Sequence, residues 1–127
     1  MATKSTKGGH GIEGNEYKAA ALFAFRVVSA FRKVDPKMPT SYMAALLAVA
    51  MKPGHGPTEY AKDLGTIQPI MSRILLEIGV PVREGAQGLG LVDRRVSAES
   101  LRNQEYYLTQ KGKALLREIA AALEALR

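Results

Sequence analysis

Residues 56–79 read GPTEYAKDLGTIQPIMSRILLEIG, and this stretch decides the fold. It opens with glycine at the cap, proline at the first position and glutamate at the third position of a helix, an arrangement that favours helix initiation. Gly65 can adopt the left-handed conformation that ends a helix, so the first helix is predicted over residues 57–64. A second helix is predicted over residues 67–78. Two short helices joined by a tight glycine turn form a helix-turn-helix unit.

Hydrophobic periodicity predicts further helices on both sides of this unit. Residues 16–34 are predicted to form a helix that is apolar on most of its faces. We therefore expect it to pack both against its own domain and against a partner subunit. Residues 40–51 form a nearly all-apolar helix, with Thr40 as its cap, that should lie at the buried centre. Thr109 is expected to cap a last amphipathic helix over residues 110–127.

The sequence pattern between the helix-turn-helix and the last helix predicts a β-hairpin. Residues 79–90 are rich in glycine and are interpreted as a flexible connector. Residues 91–96 and 102–108 read as two strands that pair antiparallel. Because successive strand residues face opposite sides, one of the adjacent Tyr106 and Tyr107 should lie in the core.

This order of elements predicts a mainly α, α+β fold, a winged helix-turn-helix with flanking helices that dimerise. The chain has 127 residues, of which 46% are apolar, enough for one compact core and too few for two. We therefore expect one domain over residues 15–127, with its wing at about 91–108, after a flexible arm of residues 1–14.

Composition argues against several classes of function. The chain has no cysteine, which excludes disulfides and thiolate metal sites and favours a reducing compartment. Its longest apolar stretch, residues 42–51, is too short to span a bilayer, and no signal peptide is recognised, so a cytoplasmic protein is expected. His10 and His55 have no partners at a telling spacing. We therefore expect no enzyme activity, no metal and no cofactor.

The net charge of +6 favours a polyanionic partner, because neutralised phosphates release condensed counterions. Solubility alone is the alternative explanation of this charge. The excess is uneven, since residues 52–113 carry nine basic against seven acidic residues. Charge by itself therefore does not point to the helix-turn-helix.

Four short motifs occur in an order that resembles MarR-type winged-helix regulators. They are EYAKDLG at 59–65, MSR at 71–73, GLVDR at 90–94 and LTQKG at 108–112. The likeness covers roughly residues 39–117. It implies a dimer held by terminal helices, with two recognition helices in successive major grooves of a pseudo-palindromic operator.

The resemblance also implies roles for single residues. Ser72 and Arg73 fall in the recognition helix, and Arg102 lies six residues before Leu108, where the family has a wing arginine for the minor groove. The chain departs from the family at Ser100, where an acidic residue is usual. Its connector before the wing is also longer, and a single helix follows the wing.

Physical reasoning on the recognition helix adds further candidates. The apolar residues that can face inward are Ile67, Ile70 or Met71, Ile74 and Ile78. Gln68, Ser72 and Arg73 are then free to face out. Gln68 suits adenine, or alternatively caps the helix, whereas Arg73 suits guanine or phosphate. Thr58 can contact a phosphate near a helix N-terminus, or it simply contributes to capping.

In the wing, Arg94, Arg95 and Arg102 form a basic cluster. Such arginines contact phosphates and narrow minor grooves. The alternative is a set of salt bridges to Asp93, to Glu99 or to a neighbouring helix. Adjacent strand residues alternate, so Arg94 and Arg95 should point to opposite sides.

These observations favour a sequence-specific transcriptional regulator of bacterial type that binds double-stranded DNA. We expect it to act as a homodimer that represses transcription and is associated with the nucleoid when bound to DNA. Two alternatives remain open: a winged-helix adaptor that binds protein, and a replication or partition accessory protein of a mobile element. Relatives often bind small aromatic acids between the DNA-binding lobe and the dimer helices. No residue of this sequence marks such an effector pocket.

Overall fold

The structure, a computed structural model, describes residues 14–96 and 103–127. Within them the chain forms helices and strands in the predicted order. They are α1 (Asn15–Val34), α2 (Thr40–Met51), α3 (Pro57–Leu64), α4 (Gln68–Ile78), β1 (Val92–Val96), β2 (Gln104–Leu108) and α5 (Gln110–Glu124). The predicted N-terminal arm lies outside the described residues, except for Gly14.

The ends of α3 follow from local chemistry as predicted. The backbone N–H of Gly56 donates to the Glu59 carboxylate at 3.1 Å, which closes the first turn. Gly65 has φ of 68°, in the left-handed region that glycine adopts without steric cost. The predicted boundaries of this helix, residues 57–64, are confirmed.

Two other predicted ends need correction. Thr40 is the first helical residue of α2, and the cap position belongs to Pro39, whose extended backbone leads into the helix. The last helix ends at Glu124, three residues earlier than predicted. The cap of α5 is confirmed, since the Thr109 hydroxyl accepts from the Gly112 N–H at 3.1 Å and donates to the Gly90 carbonyl at 2.6 Å.

The core is assembled around α2, as predicted. The largest fully buried side chains come from six segments: Phe31, Leu46, Val49, Tyr60, Met71, Leu75, Ile78, Leu91 and Val92. On α4 the inward residues are Met71, Ile74, Leu75 and Ile78. Ile67 is exposed, so the prediction that it faces inward is wrong. The sequence left open whether Ile70 or Met71 faces inward; Met71 is buried and Ile70 is exposed. A helix that begins at Gln68 places positions 71, 74, 75 and 78 on one face.

The hairpin is joined to the segment that precedes α3. β1 and β2 pair antiparallel from Val92↔Leu108 to Val96↔Gln104. His55 and Tyr106 form a further antiparallel bridge. In it the Tyr106 N–H donates to the His55 carbonyl at 3.0 Å, and the Gly54 N–H donates to the Tyr106 carbonyl at 2.9 Å. The position of the wing is therefore coupled to the start of the helix-turn-helix.

The connector over residues 79–90, which was predicted to be flexible, is hydrogen-bonded at its base. The Val80 N–H donates to the Val92 carbonyl, and the Gly90 N–H donates to the Gly79 carbonyl, both at 2.9 Å. A Cβ on Gly88 would overlap the carbonyl oxygen of Gly79. The close approach of the two backbone segments therefore requires glycine at position 88.

A buried phenol links α2 to α3. The Tyr60 side chain is fully buried, and its hydroxyl donates to the Lys52 carbonyl at 2.6 Å and accepts from the His55 N–H at 3.2 Å. Burial raises the pKa of this hydroxyl. The Lys52 ammonium also lies 3.1 Å from the Asp63 carboxylate, although both groups are partly exposed and contribute little.

We predict that Tyr60→Phe lowers the free energy of unfolding by about 1–2 kcal/mol, because two partly buried backbone groups lose their hydrogen-bond partner. Urea denaturation followed by circular dichroism measures the change. Tyr17 is 62% exposed on α1, so Tyr17→Phe serves as the matched control and should leave stability unchanged. Equal stability of Tyr60→Phe and the unmodified protein would contradict this role.

Candidate nucleic-acid interface

One edge of α4 carries a row of side chains with different chemistry. Gln68, Ser72 and Leu76 follow one another at four-residue intervals, so they lie on the same side of the helix. The Gln68 amide nitrogen donates to the Ser72 hydroxyl at 2.8 Å. Gln68 is exposed, Ser72 is half-buried, and Leu76 is 44% exposed. We call these three residues the α4 row.

The α4 row forms one wall of a groove of about 590 Å³. The N-terminal turn of α3, including Thr58 and Glu59, forms the second wall. The third wall is the start of β2, from Asn103 to Tyr106. The three parts of the chain that the sequence assigned to helix-turn-helix and wing therefore meet around one concave surface.

Thr58 lies exposed at the second position of α3. The cap position of α3 belongs to Gly56, and the Glu59 carboxylate closes the first turn, so Thr58 does not occupy the cap. Gln68 is likewise the first residue of α4 and not its cap, because that position belongs to Ile67. Neither Thr58 nor Gln68 therefore caps its helix, which was the alternative interpretation of both residues.

Arg73 lies on the opposite flank of α4, exposed to solvent. Its charge acts on Tyr42 of α2, whose pKa is raised by burial and by the Glu77 carboxylate and is lowered by Arg73. The predicted outward orientation is therefore confirmed for Gln68 and Arg73 and is partial for Ser72. Their roles in binding stay predictions.

The two adjacent arginines of β1 point to opposite faces, as predicted. Arg94 stands directly across from Tyr106, on the face that also holds the buried Val92. Burial raises the pKa of Tyr106, and the positive charge of Arg94 opposes that shift. Tyr106 is the core tyrosine of the pair, with 5% exposure, and it lines the groove.

Arg95 is engaged on the outer face of the hairpin. Its guanidinium lies 4.4 Å from the centre of the Tyr107 ring, and it stands across from Glu105 in the strand register. The Tyr107 hydroxyl donates to the Glu105 carboxylate at 3.0 Å. The expected partner of the arginines, Asp93, instead accepts from the Arg94 backbone N–H at 2.8 Å.

Arg102, the predicted wing arginine for the minor groove, lies outside the described residues, as do Glu99 and Ser100. The groove also includes residues that were not selected from the sequence, namely His55, Leu76, Asn103 and Gln104. Alternation along β2 could have placed Gln104 on the same face as Tyr106. No local pattern indicates that His55 adjoins β2, because that contact joins residues 51 positions apart.

A second surface, formed by α1 and α5, is apolar and exposed. Tyr17 and Phe25 of α1 are 62% and 66% exposed, and Leu123 of α5 is 47% exposed. A groove of about 430 Å³ runs between these two helices. At one end, the Lys33 ammonium lies 3.1 Å from the Glu118 carboxylate. Within the domain only Ala30 and Phe31 of α1 are buried. The rest of this apolar helix is available to a second packing partner, as its sequence pattern predicts.

Residues 14–96 and 103–127 contain no group of three potential metal-ligating His, Cys, Asp or Glu side chains. The helices in this part of the chain are also too short or too polar to cross a membrane.

Comparison with known proteins identifies related structures but no related sequences. No protein-family model and no curated protein matches the chain. The solved structures that are similar along most of its length include three with the following alignments. A MarR-family transcription regulator aligns with TM-score 0.55 and 23% identity over 87% of this chain and 64% of its own. Staphylococcus aureus MepR in complex with DNA aligns with TM-score 0.64 and 16% identity, over 87% and 82%.

The third structure is a transcriptional repressor, CouR, bound to a 23-mer DNA duplex. It aligns with TM-score 0.51 and 25% identity, over 85% of this chain and 69% of its own. The chain has the winged helix-turn-helix fold of MarR-type transcriptional regulators, so the α+β fold class and the resemblance predicted from the motifs are confirmed. It spans about two thirds of the length of the first structure and somewhat more of the other two.

We predict that Glu105→Gln lowers the pKa of Tyr107. The hydrogen bond to the Glu105 carboxylate stabilises the protonated phenol and raises its pKa above the ordinary 10.0, whereas Arg95 acts in the opposite direction. Without the carboxylate, the effect of Arg95 remains. Titration of ¹³C-labelled tyrosines by NMR measures the shift, and Glu84→Gln, an exposed change in the connector, is the control. An unchanged Tyr107 pKa would show that the bond is not populated in solution.

Proposed function

We propose that this protein is a sequence-specific, double-stranded-DNA-binding transcriptional regulator that acts as a homodimer on a pseudo-palindromic operator and represses by occluding promoter DNA. One observation carries the proposal. An exposed helix edge with hydrogen-bonding side chains adjoins a helix N-terminus and a wing strand, in a fold whose solved neighbours include two protein–DNA complexes.

The chemistry of α4 suits the major groove. A helix in that groove needs polar heads on its outer side and an apolar inner side that packs on the domain. Met71, Ile74, Leu75 and Ile78 supply the packed side. Gln68 and Ser72 present an amide and a hydroxyl on the outer side. Arg73 adds a guanidinium that can pair with guanine or with a phosphate.

The surroundings of α4 suit the flanking backbone. The exposed Thr58 hydroxyl stands at the N-terminal turn of α3, where backbone N–H groups and the helix dipole favour a phosphate. On the wing, Arg94 stands across from Tyr106, which lines the groove. Arg95 and Arg102 complete the proposed set of basic wing residues. Together these groups would fix the register of the protein on the duplex.

The two acidic side chains in the groove argue for a protein-binding adaptor as a second candidate, because carboxylates repel phosphates. Both carboxylates are already engaged, however: Glu59 accepts from the Gly56 N–H and Glu105 accepts from the Tyr107 hydroxyl. Dependence on salt separates the two candidates. Binding through several phosphates weakens steeply as salt is added, whereas an adaptor would ignore duplex DNA.

The homodimer is proposed from the apolar surface of α1 and α5. A large exposed apolar patch marks an interaction site in a protein that folds in water. The exposed Phe25 and Leu123 belong to the two helices that the family resemblance assigns to dimerisation. A symmetric pair would place two α4 helices about 34 Å apart, one turn of the duplex.

We predict that Arg73→Ala and Arg94→Ala each weaken DNA binding by about tenfold, because each loses one charge-assisted contact. Fluorescence anisotropy on the intergenic duplex beside the gene measures affinity. Arg32 is exposed in the last turn of α1, far from the groove in sequence, so Arg32→Ala is the matched control. If all three variants bind like the unmodified protein, α4 and the wing are not the DNA surface.

We predict that Phe25→Asp yields a monomer, because a charge placed at the centre of the apolar α1 surface cannot be buried without a partner. Sedimentation velocity measures the mass, and operator affinity should fall together with dimerisation. Val82→Asp places the same charge on an exposed valine of the connector and should stay dimeric. A dimer that persists in Phe25→Asp would exclude this surface as the interface.

A further inference from the structure

The helix proposed to face DNA, α4, has exposed aliphatic side chains at or beside it in addition to those that pack on the domain. Ile67, Ile70 and Leu76 are 61%, 48% and 44% exposed. Four other residues of α4 already complete its packed face. Scattered single apolar residues are normal on a surface, but three within the ten positions from Ile67 to Leu76 form a concentrated apolar feature.

These side chains flank the hydrogen-bonding groups of α4 on two sides. Leu76 belongs to the α4 row and lines the groove together with Gln68 and Ser72. Ile70 lies three residues before Arg73 and therefore shares the opposite flank of the helix. A ligand that covers the polar side chains of α4 must therefore also cover aliphatic groups on either side of them.

The major groove offers one apolar partner for such groups. Thymine alone presents a C5-methyl group there, and aliphatic side chains contact it favourably. The polar neighbour has matching chemistry. Because one Gln68 N–H is held by the Ser72 hydroxyl, the amide keeps its carbonyl oxygen and a second N–H. That acceptor and donor complement N6–H and N7 of adenine.

We propose that α4 reads A·T pairs, with Ile70 and Leu76 in contact with thymine methyl groups and Gln68, oriented by Ser72, paired with an adjacent adenine. This inference rests on the proposed DNA-binding function and specifies what that surface recognises. It assigns to Ile70 and Leu76 a role in specificity, and to Ser72 the role of positioning Gln68.

The experiment begins by selecting bound duplexes from a randomised pool with the full chain. Each thymine of the selected half-site is then replaced by deoxyuridine, which removes only the methyl group. We expect about fourfold weaker binding at a contacted position, and on the order of tenfold when both half-sites are changed, from the general hydrophobic value of one methyl group. Replacing adenine by 7-deazaadenine tests the Gln68 contact in the same way.

Variants then assign each methyl contact to a residue. Leu76→Ala and Ile70→Ala should each become insensitive to deoxyuridine at one thymine and keep the sensitivity at the others. Gln68→Ala and Ser72→Ala should both lose sensitivity to 7-deazaadenine. Val82→Ala, which trims an exposed valine of the connector, should keep the full pattern.

The outcomes separate this inference from the function on which it rests. If the selection yields no duplex, the DNA-binding function fails and the inference fails with it. If a duplex is selected but deoxyuridine costs no affinity at any position, DNA binding stands and methyl recognition is overturned. The deoxyuridine measurement uses the unmodified protein, so it decides the question even where a variant does not fold.

Discussion

The pairing between β2 and the segment before α3 is the constraint on which the groove depends. Two reciprocal backbone hydrogen bonds join Tyr106 to Gly54 and His55, at 2.9 and 3.0 Å. They place the hairpin beside the N-terminus of α3, and the buried Tyr60 hydroxyl holds the same segment from below. Without this connection α4 would still form, but no concave surface would lie between it and the wing.

The same arrangement bears on the proposed binding of a polyanion by a segment with little net charge. Residues 52–113 have only a small basic excess, yet the carboxylates in the groove are held by local donors. The hydrogen-bonding side chains that line the groove include Gln68, Ser72 and Thr58. Local geometry, and not net charge, therefore sets what the surface can recognise. The apolar flanks of α4 add a component that phosphate attraction does not supply.

The fold was predictable where local chemistry dominates. The boundaries of α3 follow from Gly56, Glu59 and Gly65, which act within a few residues of one another. The Thr109 cap of α5 was predictable for the same reason. Prediction failed where several apolar residues competed for one face. In α4 the rotation that buries Met71 and exposes Ile67 depends on α2 and α3, which pack against this helix. The hydrogen bonds at the base of the connector were not predicted, because one of them joins Val80 to Val92 of β1.

The sequence by itself determined the order of elements, the outward position of Gln68 and Arg73, and the opposite faces of Arg94 and Arg95. Helical and strand periodicities are properties of neighbouring residues and need no distant partner. Only the tertiary structure decided that His55, Leu76 and Gln104 share a groove, and that the Arg95 guanidinium lies over the Tyr107 ring. Such contacts join residues far apart in the chain, so they arise from packing and from no local pattern.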